Sequence, residues 1–107
     1  MASYEIDRER WAQMTIYEQL GNVSSEVGRA INATRAGKER RAQGAIDRAV
    51  DLLDATIEVL VQQKSPRVKE VLRAREEFLR LFFDGTFDED ADNIARYFNL
   101  FAIAARS

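Results

Sequence analysis

The residues best suited to chemistry form a row of acids on one face of a predicted helix. The row consists of Asp47, Asp51, Asp54 and Glu58. A helix turns by about 100° per residue, which brings all four onto the side opposite the apolar stripe. Several adjacent carboxylates are the ligands that Mg²⁺ and other hard cations prefer. The row therefore indicates either a divalent-metal site or a surface row of ion pairs.

A comparison of residue numbers favours the ion pairs. Facing residues of two antiparallel helices have a constant index sum, and three acids of the row find a base at a sum of 127. These pairs are Glu58 with Lys69, Asp54 with Arg73, and Asp47 with Arg80. Exposed pairs of this kind contribute well under about 1 kcal/mol each. We expect no metal ion or other cofactor.

The composition narrows the chemistry further. The chain has 107 residues, a net charge of −2, no His and no Cys. It is long enough for one domain with a single core, which we expect to span residues 1–107. Without His and Cys there is no imidazole base, thiolate nucleophile, disulfide or Cys/His zinc site. Catalysis would have to rely on carboxylates.

Arg75 is predicted to lie in the middle of an apolar helix stripe. A charge at such a position needs a partner or a ligand, because burying it alone costs several kcal/mol. Glu26, at the edge of the apolar stripe of another helix, is the expected partner. The pair is interpreted as a structural ion pair or as a site for an anion or a protein partner.

A basic turn is a third candidate. It contains Arg35, Lys38, Arg40 and Arg41, while residues 84–92 are strongly acidic. In an up-and-down bundle both turns lie at the same end and attract each other. Contact of the basic turn with phosphate is the alternative.

Caps and periodicity predict the elements that position these residues. Thr15 and Glu18 fit a capping box, Gly37 and Gly85 fit helix ends, and Ser65-Pro66 and Asp88 fit helix starts. The predicted helices span about residues 16–36, 38–62, 66–84 and 88–105. The predicted fold is all-α, an antiparallel up-and-down four-helix bundle. A short N-terminal extension, with Ile6 and Trp11, is expected to pack on one end.

The last predicted helix is apolar nearly all round, which is typical of a helix buried on more than one side. Leu100 and Ile103 point away from its main stripe. We therefore expect a homo-oligomer, most simply a dimer. The expected interface consists of Leu100, Phe101 and Ile103, with the small-residue flank of Gly21 and Gly28.

The N-terminal residues are charged, unlike a secretory signal peptide. No apolar run is long enough to span a bilayer. We expect a cytoplasmic protein without membrane contact.

Three segments, residues 18–30, 48–54 and 70–76, resemble small uncharacterised prokaryotic four-helix-bundle proteins. The resemblance implies the bundle fold and no particular activity. Separately, Asp51-Leu52-Leu53-Asp54 is similar to the second acidic motif, ExxD, of the all-α NTP pyrophosphohydrolases, which hold magnesium. Their first motif, ExxE, has no match, since neither Glu18 nor Glu26 has an acid three residues later. HEPN-type ribonucleases need a His, which the chain lacks.

The sequence favours a non-enzymatic, oligomerising module that binds itself and another protein. One alternative is a Mg-dependent nucleotide pyrophosphohydrolase using Glu26, Asp51, Asp54 and Glu58. A second alternative is a nucleic-acid-binding accessory protein that uses the basic turn.

Overall fold

The computed structural model describes residues 6–107 and is all-α, with no strand in that range. Its helices are α1 (Arg8–Gln13), α2 (Ile16–Arg35), α3 (Glu39–Gln62), α4 (Val68–Phe83) and α5 (Phe87–Ala105). Four of them match the predicted helices, and the predicted N-terminal extension contains the short α1. The first five residues of that extension lie outside the described residues. No described helix is long and apolar enough to cross a membrane.

Local side-chain and backbone bonds explain where the helices begin and end. The capping box of α2 is present, since the Glu18 N–H donates to Thr15 and the Thr15 N–H donates to Glu18. Gly37 and Gly85 have φ values of 71° and 75°, a left-handed conformation that suits glycine after a helix. These predicted boundaries are confirmed.

Two predicted starts are wrong by one or two residues. Ser65 accepts a bond from the Arg67 N–H at 3.2 Å, so it closes a turn through Pro66, and α4 begins only at Val68. Asp88 does not cap α5, because that helix already begins at Phe87. Asp88 instead lies in the first turn, where its charge favours the positive end of the helix dipole.

The core forms around α2. This helix packs extensively against both α3 and α5, while α4 packs less extensively against the same two helices. Residues of α2 that lie at the predicted stripe are fully buried, among them Leu20, Val23 and Val27. Gly21 makes the approach to α5 possible, because a Cβ at this position would lie 3.1 Å from the Ala102 Cα.

Trp11 fastens α1 to the long helices, as predicted. The residue is 6% exposed, and its indole Nε1–H donates to the Thr56 hydroxyl at 3.0 Å. The Gln19 side chain donates to the Trp11 carbonyl at 2.8 Å. Ile6 is half-buried against the same core. Polar bonds therefore supplement apolar burial at this end of the molecule.

The Thr56→Val substitution tests the Trp11 anchor. It leaves a buried indole N–H without an acceptor, so we expect a loss of about 1–3 kcal/mol in the free energy of unfolding. Urea unfolding followed by far-UV circular dichroism measures it. In a Trp11→Phe background the same substitution should cost less, because no indole N–H remains. Equal costs in both backgrounds would contradict the anchor.

Candidate functional site

The acids of the predicted row do not converge on one point. Glu58 pairs with Arg8 at 2.7 Å, Asp54 pairs with Arg75 at 2.8 Å, and Asp47 accepts a bond from the Gln43 amide. Asp51 is exposed. Each engaged acid has a different partner on a different part of the surface. Within residues 6–107, no group of three or more acids is close enough to share a metal ion.

The predicted index sum of 127 is wrong. Asp54 contacts Arg75 instead of Arg73, because Arg75 is on the side of α4 next to α3, whereas Arg73 is 82% exposed and lies roughly 160° away around the helix. Arg73 and Arg80 instead pair within α4, with Glu77 and Asp84 respectively. Asp54 and Glu58 are thus ion-paired, but with partners other than the predicted ones.

Arg75 lies at the border of two apolar stripes. The buried stripe of α4 consists of Val71, Ala74, Phe78 and Leu81. Leu72, Leu79 and Phe83 form a second stripe, rotated by roughly 140° from the first. In the sequence the two stripes read as one, and Arg75 falls in the middle of that combined stripe. The side chain is in fact 33% exposed and donates to Asp54, not to Glu26.

Among residues 6–107, Glu26 is the buried charged residue. It is 7% exposed, and its two carboxylate oxygens accept from Arg29 Nη1 at 3.0 Å and from Arg48 Nε at 3.2 Å. Arg29 belongs to α2 and Arg48 to α3. Glu26 therefore links the two helices and is separated from Asp54, which faces α4. This arrangement does not bring together the acids of the hydrolase hypothesis.

The outer face of α4 is an exposed apolar surface that was not predicted from the sequence. Phe83 is 71% exposed and Leu72 is 47% exposed, and Leu79 lies between them. They border a shallow groove of about 390 Å³, whose other lining residues are Arg75, Glu76, Arg80 and Asp84. The spacing of four and seven residues among the apolar positions is a signal that could have revealed this second face.

The predicted α5 interface is corrected in part. Leu100 and Ile103 are 59% and 47% exposed, as expected for residues that point away from the core. Phe101 belongs to the core, where it packs against Tyr97, and Gly21 is in contact with Ala102 of the same chain. Both are therefore used inside the fold. Gly28 has open space above it.

The basic turn is divided between two environments. Arg35 donates to Asp92 of α5 at 2.8 Å and lies over the Phe87 ring. This bond lowers the pKa of the Asp92 carboxyl from its ordinary value. The expected attraction between the basic and acidic turns is thus present. Lys38, Arg40 and Arg41 instead line a groove between α2 and α3.

Tyr97 is a buried polar group without a described partner. Its hydroxyl makes no hydrogen bond to residues 6–107, and burial raises the pKa of the phenol. The ring borders a small cavity of about 220 Å³ between α4 and α5. The Tyr97 ring packs against Phe98 and Phe101, but its hydroxyl is buried without a hydrogen bond within the described residues.

No family model matches this chain, and no curated protein or solved structure is significantly similar to it.

The Arg48→Met substitution tests the Glu26 link. It leaves a buried carboxylate with Arg29 alone, and we expect a loss of about 1–3 kcal/mol in the free energy of unfolding. Adding Glu26→Gln should lower the free energy of unfolding less in this background than in the parent, because the carboxylate has already lost one of its two partners. Urea unfolding of the four proteins gives the coupling. Strictly additive costs would show that the link does not stabilise the fold.

The Tyr97→Phe substitution tests the unpartnered hydroxyl. At neutral pH the variant should be as stable as the parent or more stable, since it removes a buried donor that has no partner. The raised pKa means that the folded state favours the neutral phenol. The resulting contribution to the free energy of unfolding is therefore full below the ordinary pKa of about 10 and is lost at higher pH. Thermal melting across that range should show a smaller alkaline loss for this variant than for Tyr17→Phe. An identical loss in both would contradict the assignment.

Proposed function

We propose that this chain is a non-enzymatic helical module that acts through protein–protein interaction, beginning with self-association into a homodimer. The supporting observation is the exposed apolar face of α4. Phe83, Leu79 and Leu72 lie on one side of the helix around a groove, with Phe83 71% exposed. Exposed apolar residues grouped in this way are typical of interaction surfaces, whereas single ones are ordinary.

We also propose that the four long helices form an antiparallel up-and-down bundle. Each packs against two others in the order α2, α3, α4, α5 and back to α2. The contact of Arg35 with Asp92, and of Gly21 with Ala102, supports opposite directions for α2 and α5. The connections between successive long helices are three to five residues long, which favours antiparallel neighbours.

A second copy of the same chain is the occupant that suits the α4 groove. Its charged lining consists of two bases, Arg75 and Arg80, and two acids, Glu76 and Asp84. The groove is therefore neutral overall, and two copies do not repel each other. The same patch on both partners is what a two-fold interface requires.

If two α4 helices pack antiparallel about a two-fold axis, each favourable contact between them occurs twice. With Leu72 of one copy level with Phe83 of the other, Glu76 lies level with Leu79 and next to Arg80 of the other copy. Glu76 forms no ion pair with any described residue of its own chain, so its carboxylate is available. The apolar residues at both ends of the groove are buried in the same step.

The exposed residues of α5 are the alternative interface. Leu100 and Ile103 lie on neighbouring turns of one face. This patch has two large side chains instead of three, and neither of them lines the α4 groove. It therefore provides the matched control for the α4 face.

The test is the molar mass in solution of two charge-introducing double variants. We expect the parent chain to be a dimer and Leu72→Glu/Phe83→Glu to be a monomer, because each copy would bury two unpaired carboxylates. Leu100→Glu/Ile103→Glu should remain a dimer. Size-exclusion chromatography with light scattering, over a range of concentrations, measures all three.

Two results would contradict the proposal. A parent chain that stays monomeric at every concentration would exclude self-association. A monomeric α5 variant beside a dimeric α4 variant would place the interface on α5. Far-UV circular dichroism verifies that both variants are folded, which is expected because all four substituted side chains are already exposed.

A further inference from the structure

The groove between α2 and α3 is strongly basic. It has a volume of about 720 Å³, and the cations that line it are Arg29, Lys38, Arg40, Arg41 and Arg48. The remaining lining residues are Asn32, Ala33, Ala36 and Gly44. We propose that this groove binds a compact polyphosphate, an anion with two or more linked phosphate groups.

Glu26 holds two of the cations in place. Its carboxylate accepts one hydrogen bond from Arg29 Nη1 and one from Arg48 Nε. A guanidinium has five N–H donors, so both arginines retain donors for a ligand. Arg29 is 64% exposed and Arg48 is 36% exposed, which leaves these donors accessible. The buried acid thus fixes two arginines at the groove before any ligand arrives, which reduces the entropy lost on binding.

The other three cations are unneutralised. Lys38, Arg40 and Arg41 are exposed, and none forms an ion pair with the described part of the chain. With one charge assigned to Glu26, the five cations leave an excess of four. A phosphate monoester carries about −1.5 to −2 at pH 7. The excess therefore matches more than one phosphate group.

Gly44 keeps the groove open. A Cβ at this position would lie 3.3 Å from Arg48 Nη1, so the absence of a side chain makes room for the guanidinium. A glycine inside a helix is unfavourable relative to alanine, and at this position it spares the Arg48 guanidinium a tight contact. Ala33 and Ala36 also have small side chains. A phosphate can therefore approach the helix backbone between the cationic side chains.

Size and surroundings favour a compact anion over a nucleic acid. The volume lies in the range of about 300–1,000 Å³ that is usual for small-ligand sites. Within the described residues no aromatic side chain lines the groove, so it offers no stacking platform for bases. Next to Ala36, Arg35 is neutralised by Asp92 of the acidic α5 start. A long polyanion leaving the groove there would meet negative charge.

The experiment is a calorimetric titration of the full chain with inorganic tripolyphosphate. Arg40→Gln/Arg41→Gln should weaken binding about tenfold or more, because two charge-assisted contacts are lost. Gly44→Leu retains every charge but fills the groove, and it should weaken binding to a similar extent. Lys69→Gln/Arg106→Gln, two exposed cations elsewhere, is the matched control and should bind like the parent. Thermal melting shows that each variant is folded.

Inorganic monophosphate and a short DNA duplex complete the titration. Weaker binding of monophosphate than of tripolyphosphate supports the proposal. Three results would overturn it: no binding of tripolyphosphate by the parent, equal binding by parent and Gly44→Leu, or tighter binding of the duplex than of tripolyphosphate. The last result would identify the groove as a nucleic-acid surface. Self-association through α4 is measured separately, so its failure would not affect these outcomes.

Discussion

The rest of the structure depends on the close packing of α2 against both α3 and α5. Leu20, Val23 and Val27 of α2 are fully buried. At Gly21 the α5 backbone comes so close that a Cβ would lie 3.1 Å from the Ala102 Cα. Once α2 is held on both sides, its rotation is determined. That rotation turns Glu26 towards α3, where it meets Arg48, and Arg35 towards the start of α5, where it meets Asp92. The polar links follow from the apolar packing.

The small net charge of the chain says nothing about where its individual charges lie. The value of −2 conceals a mixture: eight ion pairs form among the described residues, while many other charged side chains have no such partner there. Some of the unpaired charges belong to the two grooves. Lys38, Arg40 and Arg41 leave positive charge beside α2 and α3, and Glu76 leaves one negative charge on α4. An overall charge near zero thus coexists with one strongly basic groove.

Much of the fold follows from local sequence signals. The Thr15 capping box and the glycines at 37 and 85 depend on a few neighbouring residues, so they could be predicted without knowledge of packing. The partners of long side chains could not. Asp54 meets Arg75 and not Arg73 because packing decides which side of α4 turns towards α3, and no short motif encodes that rotation. The second apolar stripe of α4 was concealed for a related reason, since periodicity alone does not show which side of a helix the other helices cover.

The apolar groove and the basic groove lie on different helices and share no lining residue. The apolar groove belongs to α4 alone, whereas the basic groove requires α2 and α3 together. A contact that covers α4 therefore leaves the cations of the other groove free for an anion. Because Glu26 holds Arg29 and Arg48 through bonds within the chain, the basic groove does not need a second copy to be assembled. A dimer built through α4 would consequently present two such grooves, related by its symmetry axis, to the surrounding solution.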